Sequence, residues 1–156
     1  MRGRWVSSLA AGALLVVALS GCTFNARIAN LEPYHPSDGV GVTMGDVAVR
    51  NAMLIANNSG SATLVMTVVN RGDEDATVNF QYGPDGNRQT VSVDVPGMGS
   101  LVRVGDDPGT TVVLEDPSLV PGGLFEVYAE YGDVPGELMQ VPVLDGTLPE
   151  YELYVP

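Results

Sequence analysis

The chain contains no lysine. Its 7 basic residues are all arginine and stand against 19 acidic residues, for a formal net charge of −12 over 156 residues. Without lysine there is no P-loop phosphate clamp, no Schiff-base chemistry and no pyridoxal anchor. So acidic a chain is also a poor partner for a polyanion, so nucleic acid is excluded as a ligand. A single cysteine rules out an internal disulfide, and a single histidine rules out a multi-histidine metal site. What is present suffices for a folded domain. Hydrophobic residues make up 45% of the chain and charged residues 17%, a composition that buries a core. The length fits one domain.

The first residues read as an address. Arg2 and Arg4 give a positive start, and from Val6 to Leu19 no residue is charged. This is the n-region and h-region of a secretory signal peptide, too short for a spanning helix of about 20 apolar residues. The run ends in Leu19-Ser20-Gly21-Cys22, which resembles the lipobox of bacterial lipoproteins: a large aliphatic residue, two small ones, then cysteine. The resemblance implies a covalent lipid on Cys22 and cleavage before it. Residues 1–21 are then the signal peptide. The mature chain, 22–156, keeps five arginines against 19 acids, a side-chain balance of −14. Anionic headgroups repel such a surface, so the lipid is the membrane hold.

Residues 22–45 form the lipidated N-terminus and a tether with no sustained period, containing Pro33, Pro36, Gly39, Gly41 and Gly45. From residue 46 to 156 the pattern is β. Short runs rich in Val, Thr, Tyr and Phe alternate with Gly, Pro, Asp and Asn clusters. Strands are expected over 47–56, 62–70, 76–82, 89–95, 101–104, 111–114, 124–131, 138–144 and 151–155. Val78, Phe80 and Tyr82 alternate with Thr77, Asn79 and Gln81; Phe125, Val127, Ala129 and Tyr131 alternate with Glu126, Tyr128 and Glu130. A period of two puts these sets on opposite sheet faces. The run 62–69 is apolar on both phases, as in a central strand. No stretch has a helical period with caps. The expected fold is all-β: an antiparallel Greek-key β-sandwich of cupredoxin or immunoglobulin-like type.

Candidate chemistry is sparse. Thioether sulfur suits Cu(I), and the mature chain has Met44, Met53, Met66, Met98 and Met139. Met98 lies in a Pro-Gly-Met-Gly turn, and with His35 it forms the one weak candidate pair for copper. Acidic clusters at 73–75, 106–107 and 115–116 lack the alternating Asp-x-Asp-x-Asp-Gly order of a calcium loop. There is no Gly-x-Ser-x-Gly, and His35 is the one possible imidazole base. No enzyme is expected. Tyr128, Tyr151 and Tyr154 remain in the C-terminal third: Tyr128 is on the polar phase of its strand and Tyr154 is out of phase with Tyr151, Leu153 and Val155. An outward aromatic is either an anchor for a partner or ordinary cross-strand packing.

In combination, Tyr34-His-Pro-Ser-Asp-Gly-Val40, Val47-Ala-Val-Arg-Asn-Ala-Met-Leu-Ile-Ala56, Ala62-Thr-Leu-Val-Met-Thr-Val-Val-Asn70 with Gly72-Asp-Glu-Asp75, Pro121-Gly-Gly and Val141-Pro-Val143 resemble the LpqE-type lipoproteins of actinobacteria. That group is similar in fold to the periplasmic copper chaperones of PCu(A)C type, which hold Cu(I) with histidines and methionines that include a His-x-Met. Here the matching region, 89–104, has Met98 and no histidine. The resemblance implies a lipid-anchored accessory protein on the outer face of the cytoplasmic membrane, with no cofactor beyond its lipid. Its partner would be a membrane protein complex, with the respiratory cytochrome bcc–oxidase supercomplex as the candidate. The alternative is a copper-binding chaperone.

Overall fold

The computed structural model describes residues 37–106 and 110–156. Nine strands make up the domain: β1 Val40–Met44, β2 Val47–Ala56, β3 Ser61–Asn70, β4 Ala76–Tyr82, β5 Gln89–Val95, β6 Leu101–Val104, β7 Val112–Glu115, β8 Leu124–Tyr131 and β9 Val134–Leu144. They form two layers. One sheet has the order β5-β4-β8-β9; the other has β2 and β3 at its centre, β1 on the outer edge of β2, and both β6 and β7 on β3. All pairs are antiparallel but one. The last residues of β9 leave their own sheet and pair parallel with β2, Val143 opposite Leu54 and Leu144 opposite Ile55. The sandwich is thus closed, barrel-like, on the β9 side. This parallel bridge departs from the wholly antiparallel expectation. It arises because β9, eleven residues long, reaches past its own sheet.

The core between the sheets is built from the alternating sets read in the sequence. Val78, Phe80, Tyr82, Phe125, Val127 and Ala129 point inward from one sheet, and Leu64, Met66 and Val68 from the other. Tyr82 and Phe125 pack with ring centroids 6.2 Å apart and planes tilted by 52°. Each buried apolar side chain of this size contributes about 1.5–3 kcal/mol, so this layer dominates stability.

Two expectations are corrected. The tether does not extend to residue 45: Val40–Met44 is β1, and Gly39 donates its N–H to Asn51 Oδ1 at 2.9 Å. Arg50 stitches β1 in place, donating to the carbonyl oxygens of Val42 and Val49, both at 2.8 Å. The glycines and the short length of β1 hide its strand pattern. The C-terminal strand over 151–155 is absent as well; that segment holds a 3₁₀ turn, Glu152–Tyr154.

A bulge in β2 shapes the second sheet. Arg50 faces Thr67 and Met53 faces Val65, so two residues, Asn51 and Ala52, oppose Met66 alone. Asn51 sits at φ 51°, a left-handed conformation that asparagine tolerates better than most residues. The extra residue inverts the side-chain phase. Before it Val47 and Val49 face the core; after it Ala52, Leu54 and Ala56 do. Met53 and Ile55 are thereby turned to the outer face, where they join a separate apolar cluster.

At the Val47 end of the sandwich the loops 71–75 and 96–100 interlock around Asn70. This buried side chain donates to the Glu74 and Val95 carbonyls at 2.7 and 3.3 Å and accepts from the Gly72 N–H at 3.0 Å. Met98 N–H donates to the Gly72 carbonyl at 2.7 Å. The loops lie so close that a Cβ on Gly97 would fall 2.3 Å from the Asp73 carbonyl oxygen.

Candidate functional site

The outward-turned Met53 and Ile55 leave an apolar patch that water would meet. The last twelve residues cover it. After β9 the chain turns at Asp145, whose carboxylate accepts from Thr147 N–H at 3.0 Å. The Thr147 hydroxyl and N–H hold the Asp145 carboxyl below its ordinary pKa. The segment then doubles back as a strap. A Cβ on Gly146 would lie 2.2 Å from Val155 Cγ2, so the Val155 side chain packs directly over the Gly146 backbone. Tyr151, 8% exposed, packs with Met53 and Ile55, and Val65, Leu144 and Tyr154 close around them.

The phenolic hydroxyls emerge at the rim and find carboxylates. Tyr151 OH donates to Asp38, and Tyr154 OH donates to Asp106 at 2.7 Å. Asn57 Nδ2 donates to the Pro156 carbonyl at 3.2 Å. The bond to Asp38, helped by burial, pushes the Tyr151 phenol up to about 12, because ionisation would end the donation and set two negative charges together. Asp106 raises Tyr154 in the same way. Tyr151 therefore ties the strap to Asp38, two residues before β1.

Beside the strap is a crevice of about 450 Å³, lined by Asp38, Pro121, Leu144, Asp145, Leu148 and Tyr151. Leu148 is exposed on it. Val120 and Leu124, either side of the Pro121–Gly123 turn, are exposed too. The turn is fixed to β9: Gly122 N–H donates to the Val143 carbonyl at 2.7 Å, and Val143 N–H to the Gly123 carbonyl at 3.0 Å. Two wider grooves have mixed polar and apolar walls, and Leu124 lines the first of them. One, about 660 Å³, includes Glu115, Asp116 and Gln89 in its walls; the other, about 650 Å³, includes Asp46, Asp73, Glu74 and Asp75.

The lipobox residues Leu19, Ser20, Gly21 and Cys22 lie outside the described residues, as does His35. Met98 is 86% exposed on its loop tip, at φ 61°. The other four methionines among the described residues, Met44, Met53, Met66 and Met139, are buried in the two apolar clusters. They fill the core, as flexible side chains do, and do not converge with Met98. Among the described residues no three His, Cys, Asp or Glu side chains gather as a metal site. The acids have structural work instead: Asp75 accepts from Gly97 N–H at 2.9 Å, and Asp116 from Ser118 N–H at 2.8 Å. Of the three C-terminal tyrosines, Tyr151 is buried and Tyr154 packs beside it. Tyr128 is half-buried on its sheet face opposite Leu138. Packing is the role the geometry gives them. The strap was missed because its single 3₁₀ turn carries no period, and only Gly146 and Pro149 hint at a reversal.

No protein-family model and no curated protein matches the sequence. Solved structures do match. The chain is similar to an apo PmoF2 PCuAC domain at 21% identity and a TM-score of 0.52, over 70% of this chain and 98% of that one. It is similar to a copper-bound PCuAC domain from PmoF2 at 21% identity and 0.51, over 68% and 98%. An apo PCuAC domain from PmoF1 follows at 15% and 0.53, over 67% and 98%. The fold is thus of the PCuAC type, in line with the fold relation read from the sequence. At these identities the likeness concerns the scaffold alone.

Proposed function

We propose that this protein is a non-catalytic, lipid-anchored binding domain on the outer face of the cytoplasmic membrane, where it docks on a membrane protein complex. Cys22 carries the anchor. Confinement to the membrane raises the local concentration of the domain, so a modest contact surface stays occupied. The observation that carries the reading is the placement of the methionines. A scaffold like that of the copper-binding domains has four of its five thioethers in apolar packing, which leaves surfaces, not a ligand set, as its working parts. The LpqE-type resemblance makes the respiratory bcc–oxidase supercomplex the first partner to test.

Likeness to solved domains favours a second reading, copper handling, over the first. One of the similar structures is copper-bound, and Met98 offers a thioether on a rigid tip. One soft ligand does not make a Cu(I) site, so this reading needs His35 or a donor from a partner.

The two are separated on one preparation, tagged within the exposed 83–87 turn and solubilised from native membranes in mild detergent. Docking predicts that oxidase subunits co-purify in fixed ratio and that Cu(I) does not compete away from a chelator. Tight one-to-one Cu(I) binding, lost on Met98→Ala with His35→Ala, overturns docking. Cys22→Ala releases the protein to the medium or leaves it unprocessed; retention at normal processed size removes the anchor from the account.

A further inference from the structure

We infer that the crevice between the strap and the turn before β8 is the contact surface for the partner. It receives an apolar side chain flanked by arginine or lysine, presented by an integral membrane protein. This rests on the docking reading above. Singly exposed apolar residues are ordinary. Here the exposed Leu148 shares one concavity with Pro121, Leu144 and Tyr151, and an apolar centre inside a polar rim is the layout of an interface. The rim is acidic: Asp38 and Asp145 line it, and Glu150 is exposed on the strap. Its complement is therefore cationic.

The course of the chain selects the occupant. Asp38 lines the crevice, and from it the chain runs back toward Cys22. Asp38 thus brings the chain into the domain beside this crevice, and residues 23–37 could span at most about 50 Å. That places the crevice within reach of proteins embedded in the same membrane. A lipid surface is the wrong occupant, since anionic headgroups repel an acidic rim. A second copy would bring the same carboxylates against themselves.

The test puts a photo-crosslinking side chain at Leu148, and separately at Met98, in the full-length lipidated protein in native membranes. The expected result is a discrete adduct with an integral membrane protein from position 148 and none from 98. That adduct should weaken about tenfold when Glu150→Arg is added, the loss expected from setting a like charge on the rim against a cationic partner. Glu150 is exposed, so the melting temperature of Glu150→Arg should match that of the parent. An adduct from position 98 alone overturns the inference. So does one with lipid or a second copy, or one indifferent to Glu150→Arg. Absence of both adducts while the complex still co-purifies overturns the surface and leaves docking standing. Absence of any co-purifying complex overturns docking itself.

Discussion

On the outer face of the β5-β4-β8-β9 sheet most side chains are polar and bonded across the strands, and Leu124, Tyr128 and Leu138 stand among them. Thr77 donates to Asp94 at 2.7 Å, Gln81 to Glu130 at 2.7 Å, Ser92 to Asn79 at 2.8 Å and Gln140 to Glu126 at 2.8 Å. On the outer face of the other sheet, Met53, Ile55 and Val65 are apolar, and the chain's own C-terminus covers them. The first face meets water directly and needs no cover. The second exists because one inserted residue in β2 inverted the phase of an apolar strand. The strap is thus a consequence of the bulge, and it brings both ends of the domain to one place through Tyr151 and Asp38. Stability on the two faces should respond to mutation very differently.

The largest effect belongs to the strap. Tyr151→Ala removes the ring over Met53 and Ile55 and should cost about 3 kcal/mol in denaturant unfolding, as buried aromatic truncations do. Tyr151→Phe keeps the ring and should cost about 1 kcal/mol, the worth of its hydrogen bond. The pH dependence follows from the raised phenol. A group raised on folding contributes fully below its unfolded value near 10 and loses that contribution as pH climbs to about 12. The stability difference between wild type and Tyr151→Phe should therefore vanish across that window. A difference that stays constant there would show that the Asp38 bond does not exist in solution.

Next comes the bulge. Asn51→Val forces a β-branched residue to φ 51° and removes the acceptor for Gly39 N–H, so about 2 kcal/mol should be lost. Asn51→Gly tolerates the backbone and loses only the bond, about 1 kcal/mol. Equal losses would mean that the left-handed turn is not what fixes the phase of β2.

These two regions also mark what sequence could and could not tell. The polar-faced sheet was legible residue by residue: 76–82, 89–95 and 124–131 are strands with the boundaries read from alternation, because one phase is polar and the other apolar. In β2 both phases after Asn51 are apolar, so periodicity could not show which face each side chain takes. Nor could it show that Met53 and Ile55 need a cover. β1 was read as tether because its glycines break the pattern. The crevice depends on three separate segments meeting at Asp38, the Pro121–Gly123 turn and the strap. No local signal reports such a meeting. The methionines could be read either way until their burial was known, since a thioether that fills a core and one that binds copper look alike in a sequence.

The smallest effect is on the polar face. Gln81 and Glu130 sit on adjacent strands, half-buried, with their bond at 2.7 Å. Water offers both groups nearly equivalent partners, so a double-mutant cycle with Gln81→Ala and Glu130→Ala should give a coupling of about 0.5 kcal/mol or less. The cycle sharpens the contrast between the faces, because the bond geometry here is as good as that of Tyr154 to Asp106. If the coupling instead reached about 2 kcal/mol, the cross-strand pairs would be holding their sheet together. The strap would then not be the domain's principal stabilising device outside the core. A small coupling beside a large Tyr151→Ala loss would locate the difference in apolar cover and not in hydrogen bonding.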